Sequence, residues 1–516
     1  MKRKKGRPTW QPKDEDYTRC FEEQNPWHRS GIVPSVWACE IERPTSRFLY
    51  QRLLNDQPRR FQLILGPRRV GKTTLMYQTV RRMIQEGVPP TQLWWLRLDH
   101  PLLMRIPLNH LVRYIIENSA IPATKENPIY LFLDELTYAD TWDLWLKSFY
   151  DEAWPIRIAA TSSSTAALRD RSMESGVGRW EEQSLSPYLF SEYLELMKKN
   201  VSIAVKDTLA ETISGCIDAR IPVSNLAEDR RRFLLVGGFP ELLNLTAAHE
   251  GSDEALLLQS QRTLRNDAIE RAIYKDIPQT FGIDNPTLLE RFLYTLAGQF
   301  TGILSPINVC KGLDGLSQPT LVRYLSYLER AFIVFTLPNY SGKEESVQKR
   351  GRKLFFVDGA VRNAALQRGI GPLTNSEEMG LLIENMAAGH LHSLSSQSLN
   401  RLYYWRDKNE EVDFILDHPS QPLAFELGLS SGHHRKGLNS LIARHPRFEG
   451  GCYVVTTDGL PRHPKESIDR IGTLPFDLFL LAVGAQLEQE MGRRLMRTLP
   501  PLVPTQEDLD AFDLKW

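Results

Sequence analysis

The stretch Leu63–Met83, LILGPRRVGKTTLMYQTVRRM, decides how the rest of the chain is read. A short apolar run leads into Gly66, then Pro67, Arg68, Arg69 and Val70, then Gly71, Lys72, Thr73 and Thr74. This completes the pattern G-x-x-x-x-G-K-[ST], in which a glycine-rich turn aims backbone N–H groups at phosphate oxygens. Phe61–Leu65 has strand character, and Leu75, Met76, Thr79, Val80, Met83 and Ile84 recur at helical spacing. Strand, turn and helix in that order put a helix N-terminus, with its orphan donors and positive dipole end, against the anion. The spacing predicts Lys72 on the β- and γ-phosphates and the Thr73 hydroxyl on Mg²⁺.

A nucleotide site of this kind needs carboxylates from a second strand. NPIYLFLDEL, from Asn127 to Leu136, supplies them. Ile129–Leu133 reads as a central parallel strand, apolar throughout because both faces are covered. Asp134 and Glu135 stand at its C-terminal end, where open α/β sheets bind ligands. Asp134 is the candidate to hold Mg²⁺ through water, and Glu135 to polarise the attacking water. Two acids in that place also suit a helix cap; the phosphate loop upstream is what favours the chemical reading. Leu93–His100 and Ile156–Ser164 complete the expected sheet. Arg179, just after Gly178, is read either as a finger acting on a neighbour's nucleotide or as a surface ion pair.

The bulk numbers exclude several classes. A chain of 516 residues holds about two to four domains. It carries 63 basic and 63 acidic residues, so no global field draws it to nucleic acid or membrane. Its five cysteines are scattered without CxxC spacing, which fits a reducing compartment rather than a disulfide or zinc framework. The basic start MKRKK is followed by no apolar stretch, so it is no secretory signal. The run Leu478–Ala485 is too short to span a bilayer. A cytoplasmic chain with no membrane partner is expected.

The order GPRRVGKTTL, LFLDEL, TSSS, GRW…LSPYLFSEYL, GGFPE and YKDI resembles a prokaryotic family of P-loop AAA-type ATPases related to the archaeal ATPase group, whose C-terminal region is a domain of unknown function. The resemblance runs from about residue 45 to about residue 460. It implies ATP as the nucleotide. It also implies a polar γ-phosphate sensor after the fourth strand, for which Ser162, Ser163 and Ser164 are candidates. A plain helix cap is the competing reading of that triplet, and Ser162 stands where the family has glycine.

Beyond the core, residues 201–278 read as a helical lid, with Arg262–Ile277 as a charged amphipathic helix. In 279–345 the order helix, helix, helix, strand, with Ser317 as a cap, reads as a winged helix-turn-helix, and the resemblance implies the same. Its second helix would present Gln318, Thr320 and Arg323 to DNA or to a protein. In 346–475, Glu384, Asp413 and Glu426 look like the acids of a PD-(D/E)xK nuclease. The family's Glu-Val-Lys is Glu426-Leu427-Gly428 here, so the lysine that orients water is missing. Lys436 could substitute only if the chain folded back, and His433 and His434 are nearby candidate ligands. The acids also suit structural partnership with Arg406, Lys408 or Arg435.

The expected architecture is therefore α/β: an N-terminal extension (1–45), a P-loop AAA-type parallel sheet (46–200), the lid, the winged helix, a degenerate nuclease-like α/β domain, and a C-terminal helix and tail (476–516). The expected function is a Mg²⁺-dependent, ATP-binding switch whose C-terminal half docks a protein or DNA, with homo-oligomers allowed. The alternative is an ATP-gated nucleic-acid binder or metal nuclease.

Overall fold

A computed structural model describes residues 14–498, apart from 56–58, 164–177, 200, 224, 249–251, 284, 314–315, 342–350, 429–434 and 458. Ser164, His433 and His434 lie outside the described residues.

Five strands build the first sheet: β1 (Phe61–Leu65), β2 (Leu93–Arg97), β3 (Ile129–Asp134), β4 (Ile156–Ser162) and β5 (Trp180–Ser184). Their order is β2-β3-β4-β1-β5, with every neighbouring pair parallel. Such a sheet is covered on both faces, which is why its inner strands are apolar without alternation. Side chains still divide by the two-residue period. Leu63, Leu65, Leu131, Leu133 and Ile158 join one buried cluster, whereas Ile64, Phe132 and Ala159 join another. Leu75, Met76, Val80 and Met83, from the helix Lys72–Gln85, seal the second face. Each buried side chain of that size contributes about 1.5–3 kcal/mol.

The segment before residue 45, outside the resemblance, belongs to this core by packing. Trp27 is fully buried and its indole N–H donates to the Leu93 carbonyl at 2.8 Å. The Asn25 side chain donates to the Trp95 carbonyl at 3.1 Å and accepts from the Trp95 amide. Large rings in a short segment need a surface to cover, and the edge strand β2 offers one.

The lid comprises helices Leu209–Asp218, Ala227–Val236, Pro240–Ala248 and Asp253–Leu264. The regular helix expected over Arg262–Ile277 is not formed: from Arg265 to Asp276 the backbone takes wide π-type turns before the helix Ile277–Phe281. Such turns rotate side chains off a helical register and recur at functional sites.

Helices Pro286–Gly298, Pro306–Gly312 and Gln318–Arg330 follow, then an antiparallel pair, β6 (Val334–Pro338) and β7 (Arg352–Phe356). Ser317 accepts from the Thr320 amide at 3.3 Å, the expected cap. The boundary drawn between residues 345 and 346 runs through this two-stranded sheet. The last sheet has order β12-β11-β10-β9-β8, from β8 (Arg401–Asp407), β9 (Glu410–Asp417), β10 (Leu423–Gly428), β11 (Cys452–Thr456) and β12 (Gly472–Pro475). β10, β11 and β12 pair parallel, and β9 runs antiparallel to both β10 and β8.

The helix Phe476–Thr498 turns back onto the helices Ser376–Gln397 and Pro44–Leu54. Its Leu478–Val483 run is buried, and among the described residues no helix is long and apolar enough to cross a membrane. One continuous apolar cluster extends from Tyr188 through the lid to Val483.

Candidate nucleotide site

The phosphate loop leaves β1 at Leu65 and enters its helix at Lys72. Gly71 lies at φ 92°, a left-handed conformation that glycine adopts without steric cost. Arg69 is also left-handed, at φ 66°. The Lys72 ammonium, only 7% exposed, donates to the Gly66 and Pro67 carbonyls, each at 2.9 Å. Burial lowers its pKa to about 8, opposed by the nearby charges of Glu135 and Asp134.

Thr73 donates to Asp134 at 3.1 and 3.2 Å, so the two residues expected to serve one cation meet across β1 and β3. Burial pushes the Asp134 carboxyl up to about 6, although hydrogen bonds from Thr161 and Thr73 pull it down. A cation beside it would relieve that desolvation, and a hydroxyl with a carboxylate is the hard oxygen donor set that Mg²⁺ takes. The donor set thus fits the metal.

Thr161 joins these candidates although nothing in its own stretch of sequence marks it. It donates to Asp134 at 2.6 Å and accepts from the Glu135 amide at 3.0 Å. The signal was available in strand register, since Leu133 pairs with Ala160 and so brings Asp134 beside Thr161. Of the serine candidates, Ser163 donates to Glu135 at 3.3 Å, while Ser162 is buried at the end of β4. Glu135 itself is left-handed, at φ 56°, which turns its side chain out of the strand course and toward the site.

A cavity of about 630 Å³ opens over the loop, lined among others by Arg68, Lys72, Thr73, Thr74, Glu135 and Tyr188. Its far wall is lid: Pro240, Glu241, Asp267 and Arg271. Arg69 reaches across to Glu241 at 2.7 Å and Asp267 at 2.8 Å. Arg68 pairs with Asp276, of the YKDI motif, at 2.5 and 2.7 Å. The π-type turns deliver Asp267 and Arg271 to this wall and Asp276 to Arg68. From the opposite side Arg43 braces the loop, donating to the Val70 carbonyl at 3.3 Å and bidentately to Glu192 at 2.8 Å.

Arg179 is not brought to this cavity. It sits where β5 begins, its carbonyl accepting from the Phe61 amide, and its guanidinium pairs with Asp151 at 2.8 and 3.1 Å. That is the end of the sheet opposite the phosphate loop.

A second ionic centre lies in the C-terminal half, and it does gather Glu384, Asp413 and Glu426. Glu426 accepts from the Asp413 amide at 3.3 Å, and Asp413 from the Leu427 amide at 3.0 Å. Their cation is Lys353 of β7, at 2.7 Å from Glu384, 2.9 Å from Glu411 and 3.1 Å from Asp413. Burial works against its charge, yet Asp413, Glu384 and Glu411 outweigh it and hold the pKa well above the ordinary value. Burial raises Glu384 and Glu426 as well. The expected partners are corrected accordingly. Lys436 is 80% exposed and binds Glu410, and Arg435 binds Asp469. Among the described residues no group of three or more His, Cys, Asp or Glu is arranged to hold a metal ion; in this cluster an ammonium lies among the acids.

The parallel sheet, the phosphate loop at its C-terminal edge and Asp134 at the end of β3, with β4 between it and the loop's own strand, define a P-loop AAA-type fold. Residues 58–194 match the model described as an AAA domain. Residues 227–370 and 379–474 match two models described as domains of unknown function, DUF8612 and DUF4143. Among curated proteins it is similar to two uncharacterized proteins of Methanocaldococcus jannaschii. One is 27% identical over 406 residues, 76% of this chain and 80% of that protein. The other is 24% identical over 363 residues, 70% of this chain and 72% of that protein. Among solved structures, the Walker-type ATPase PABY2304 of Pyrococcus abyssi aligns at 15% identity and a TM-score of 0.40, covering 65% of this chain and 97% of that one.

Proposed function

We propose that the chain is a Mg²⁺-dependent ATPase used as a nucleotide-controlled switch, with the C-terminal half holding a protein partner. Backbone N–H groups from Gly66 to Thr74 and the Lys72 ammonium bind the phosphates. Thr73 and Asp134 hold Mg²⁺, which when bound neutralises phosphate charge. Thr161 fixes the Asp134 carboxylate, and Glu135, steadied by Ser163, takes the proton of the attacking water.

One observation carries the switch. Pro240, on the lid wall, stands against Gly71: a Cβ on that glycine would lie 3.3 Å from the Pro240 ring. Two residues before Pro240, the Gly238 amide donates to Asp358, in the C-terminal half, at 2.7 Å, and the Gly238 carbonyl accepts from the Tyr188 amide. A Cβ at Gly238 would lie 2.4 Å from the Tyr188 carbonyl. So the GGFPE turn is wedged between nucleotide loop and C-terminal half with no slack, and motion of one bears on the other.

The test is ATP hydrolysis by the purified chain, alone and with single- and double-stranded DNA and RNA, beside Glu135→Gln. Basal turnover lost in the mutant and indifferent to nucleic acid supports the reading. Turnover equal in both proteins sinks the role of Glu135, and binding of no nucleotide at all sinks the ATPase.

The second reading, an ATP-gated nuclease, is favoured by Lys353, which supplies the cation missing at Gly428. Against it, that ammonium is already ion-paired with three carboxylates. Metal-dependent cleavage of DNA or RNA that is lost in Asp413→Ala would reverse the preference.

A further inference from the structure

The variable positions of a phosphate loop are usually read as spacers. Here Arg68 is nothing of the kind. Its side chain is 15% exposed, lines the nucleotide cavity beside Glu135, and meets an equally buried lid carboxylate, Asp276, 13% exposed. The contact is a fork: Nε and Nη2 donate to the two oxygens of Asp276. A guanidinium carries five N–H donors in a fixed plane. One edge is therefore spent on the lid, and among the described residues Nη1 donates to no protein acceptor.

That division suits a bridging cation. A carboxylate on one edge fixes the plane and direction of the other, as second partners fix ligand side chains in metal and anion sites. The remaining donors lie on the loop that receives the β- and γ-phosphates, next to the residue proposed to direct water. Phosphate oxygens are the acceptors a planar fork recognises best. Lys72 cannot duplicate this, since its ammonium is a point charge held by the Gly66 and Pro67 carbonyls. Nor does Arg179 supply a second cation within one chain, because it lies at the far end of the sheet on Asp151.

We propose that Arg68 is a terminal-phosphate sensor and Asp276 its positioning residue: the free edge of the guanidinium binds the last phosphate of a nucleoside triphosphate while the other edge stays on the lid. The chain thereby distinguishes tri- from diphosphate with a residue of its own loop, and reports the difference to the lid through one ion pair. Arg69, left-handed and half-exposed with its own lid acids Glu241 and Asp267, makes a second, more exposed link between loop and lid.

The inference rests on the nucleotide reading of the loop, and the experiment separates the two. Affinities of the full chain for ATP and for ADP are measured with Mg²⁺, for the unaltered protein, Arg68→Lys and Asp276→Asn. A lost charge-assisted contact to a phosphate costs about ten-fold or more in affinity. Arg68→Lys is expected to weaken ATP by about that factor and leave ADP within two-fold. Asp276→Asn keeps the arginine but frees its plane, and should narrow the ATP-to-ADP ratio in the same direction, by less. Equal weakening of both nucleotides, or no change in either, overturns the sensor while the nucleotide site stands. If the unaltered chain binds neither nucleotide, the loop reading itself fails. Should Arg68→Lys not fold, an unchanged ratio in Asp276→Asn alone is enough to refute the positioning role.

Discussion

Replacing Lys353 with methionine tests what the second ionic centre is. The side chain is 4% exposed and neutralises Glu384, Glu411 and Asp413 at 2.7–3.1 Å. Methionine preserves most of the volume and removes the charge, leaving Glu384 and Glu426 in a site where burial already disfavours their ionisation. Removing one partner of a buried ion pair costs about 3–5 kcal/mol. A loss of about that size is expected at pH 7.5.

The acids can escape by taking up protons, so the loss should shrink as pH falls toward 5. The sign follows from linkage. The Lys353 charge holds the raised Glu384 and Glu426 carboxyls down, so without it they rise further above their unfolded values, and the deficit is largest where the unfolded chain is fully ionised and fades as protons return. Urea unfolding of both proteins at pH 7.5 and pH 5.5, followed by far-UV circular dichroism, measures this. Adding Glu384→Gln to the variant should recover part of the loss, since one unpaired charge is gone and the two sites touch. A deficit below about 1 kcal/mol, or one equal at both pH values, would refute the reasoning, for then the ammonium neutralises nothing that matters.

Other perturbations follow from contacts at the first site and its link to the second. Arg43→Met removes the fork on Glu192 and the bond to Val70; a stability loss of about 3–5 kcal/mol in thermal or urea unfolding is expected, with weaker nucleotide binding. Asp358 accepts from the Gly238 and Ala360 amides, one on each oxygen; Asp358→Asn turns an NH2 donor onto one of them, so a stability loss of about 1–3 kcal/mol is expected in unfolding, while any response of the C-terminal half to ATP, read by limited proteolysis, should weaken. His390 is buried; its Nε2 accepts from the Phe190 amide and its Nδ1 faces the Met386 carbonyl. Burial lowers its pKa to about 4, so the neutral ring contributes stability that is full above about pH 6.5 and lost as pH falls toward 4. His390→Gln should flatten that slope in unfolding measured across the window.

What was legible in the sequence depended on whether the signal was local. The phosphate loop is contiguous, and its glycine, lysine and threonine have to be neighbours to do their work. The inner strands announce themselves as apolar runs because both faces are covered. Thr161 escaped notice because its meaning comes from pairing with β3, not from its own surroundings. Lys353 is not legible because it stands 73 residues before Glu426 in sequence and is delivered by a separate two-stranded sheet. The lid turns from Arg265 to Asp276 read as one amphipathic helix because π-type and α-type turns share nearly the same apolar spacing over a few residues. Trp27 carried a hint that went unused: a tryptophan in a segment outside the resemblance still has to be buried somewhere.

The packing bears on how a nucleotide signal would travel. In a chain whose lid were a separate body, closure would be a hinge motion over solvent. Here the lid shares one apolar cluster with the C-terminal half, and close-packed interiors resist continuous deformation. A lid so embedded moves only by exchanging one set of polar contacts for another. The polar contacts at the phosphate loop and the GGFPE turn are Arg68 on Asp276, Arg69 on Glu241 and Asp267, and Gly238 on Asp358. Three of these four bonds begin on the phosphate loop, and the fourth ends in the C-terminal half. A nucleotide that altered the first set by even one charge-assisted bond, about 1.5–3 kcal/mol, would shift a balanced pair of arrangements by ten-fold or more. A slow switch needs no larger signal than that, and such a shift does not depend on a neighbouring subunit.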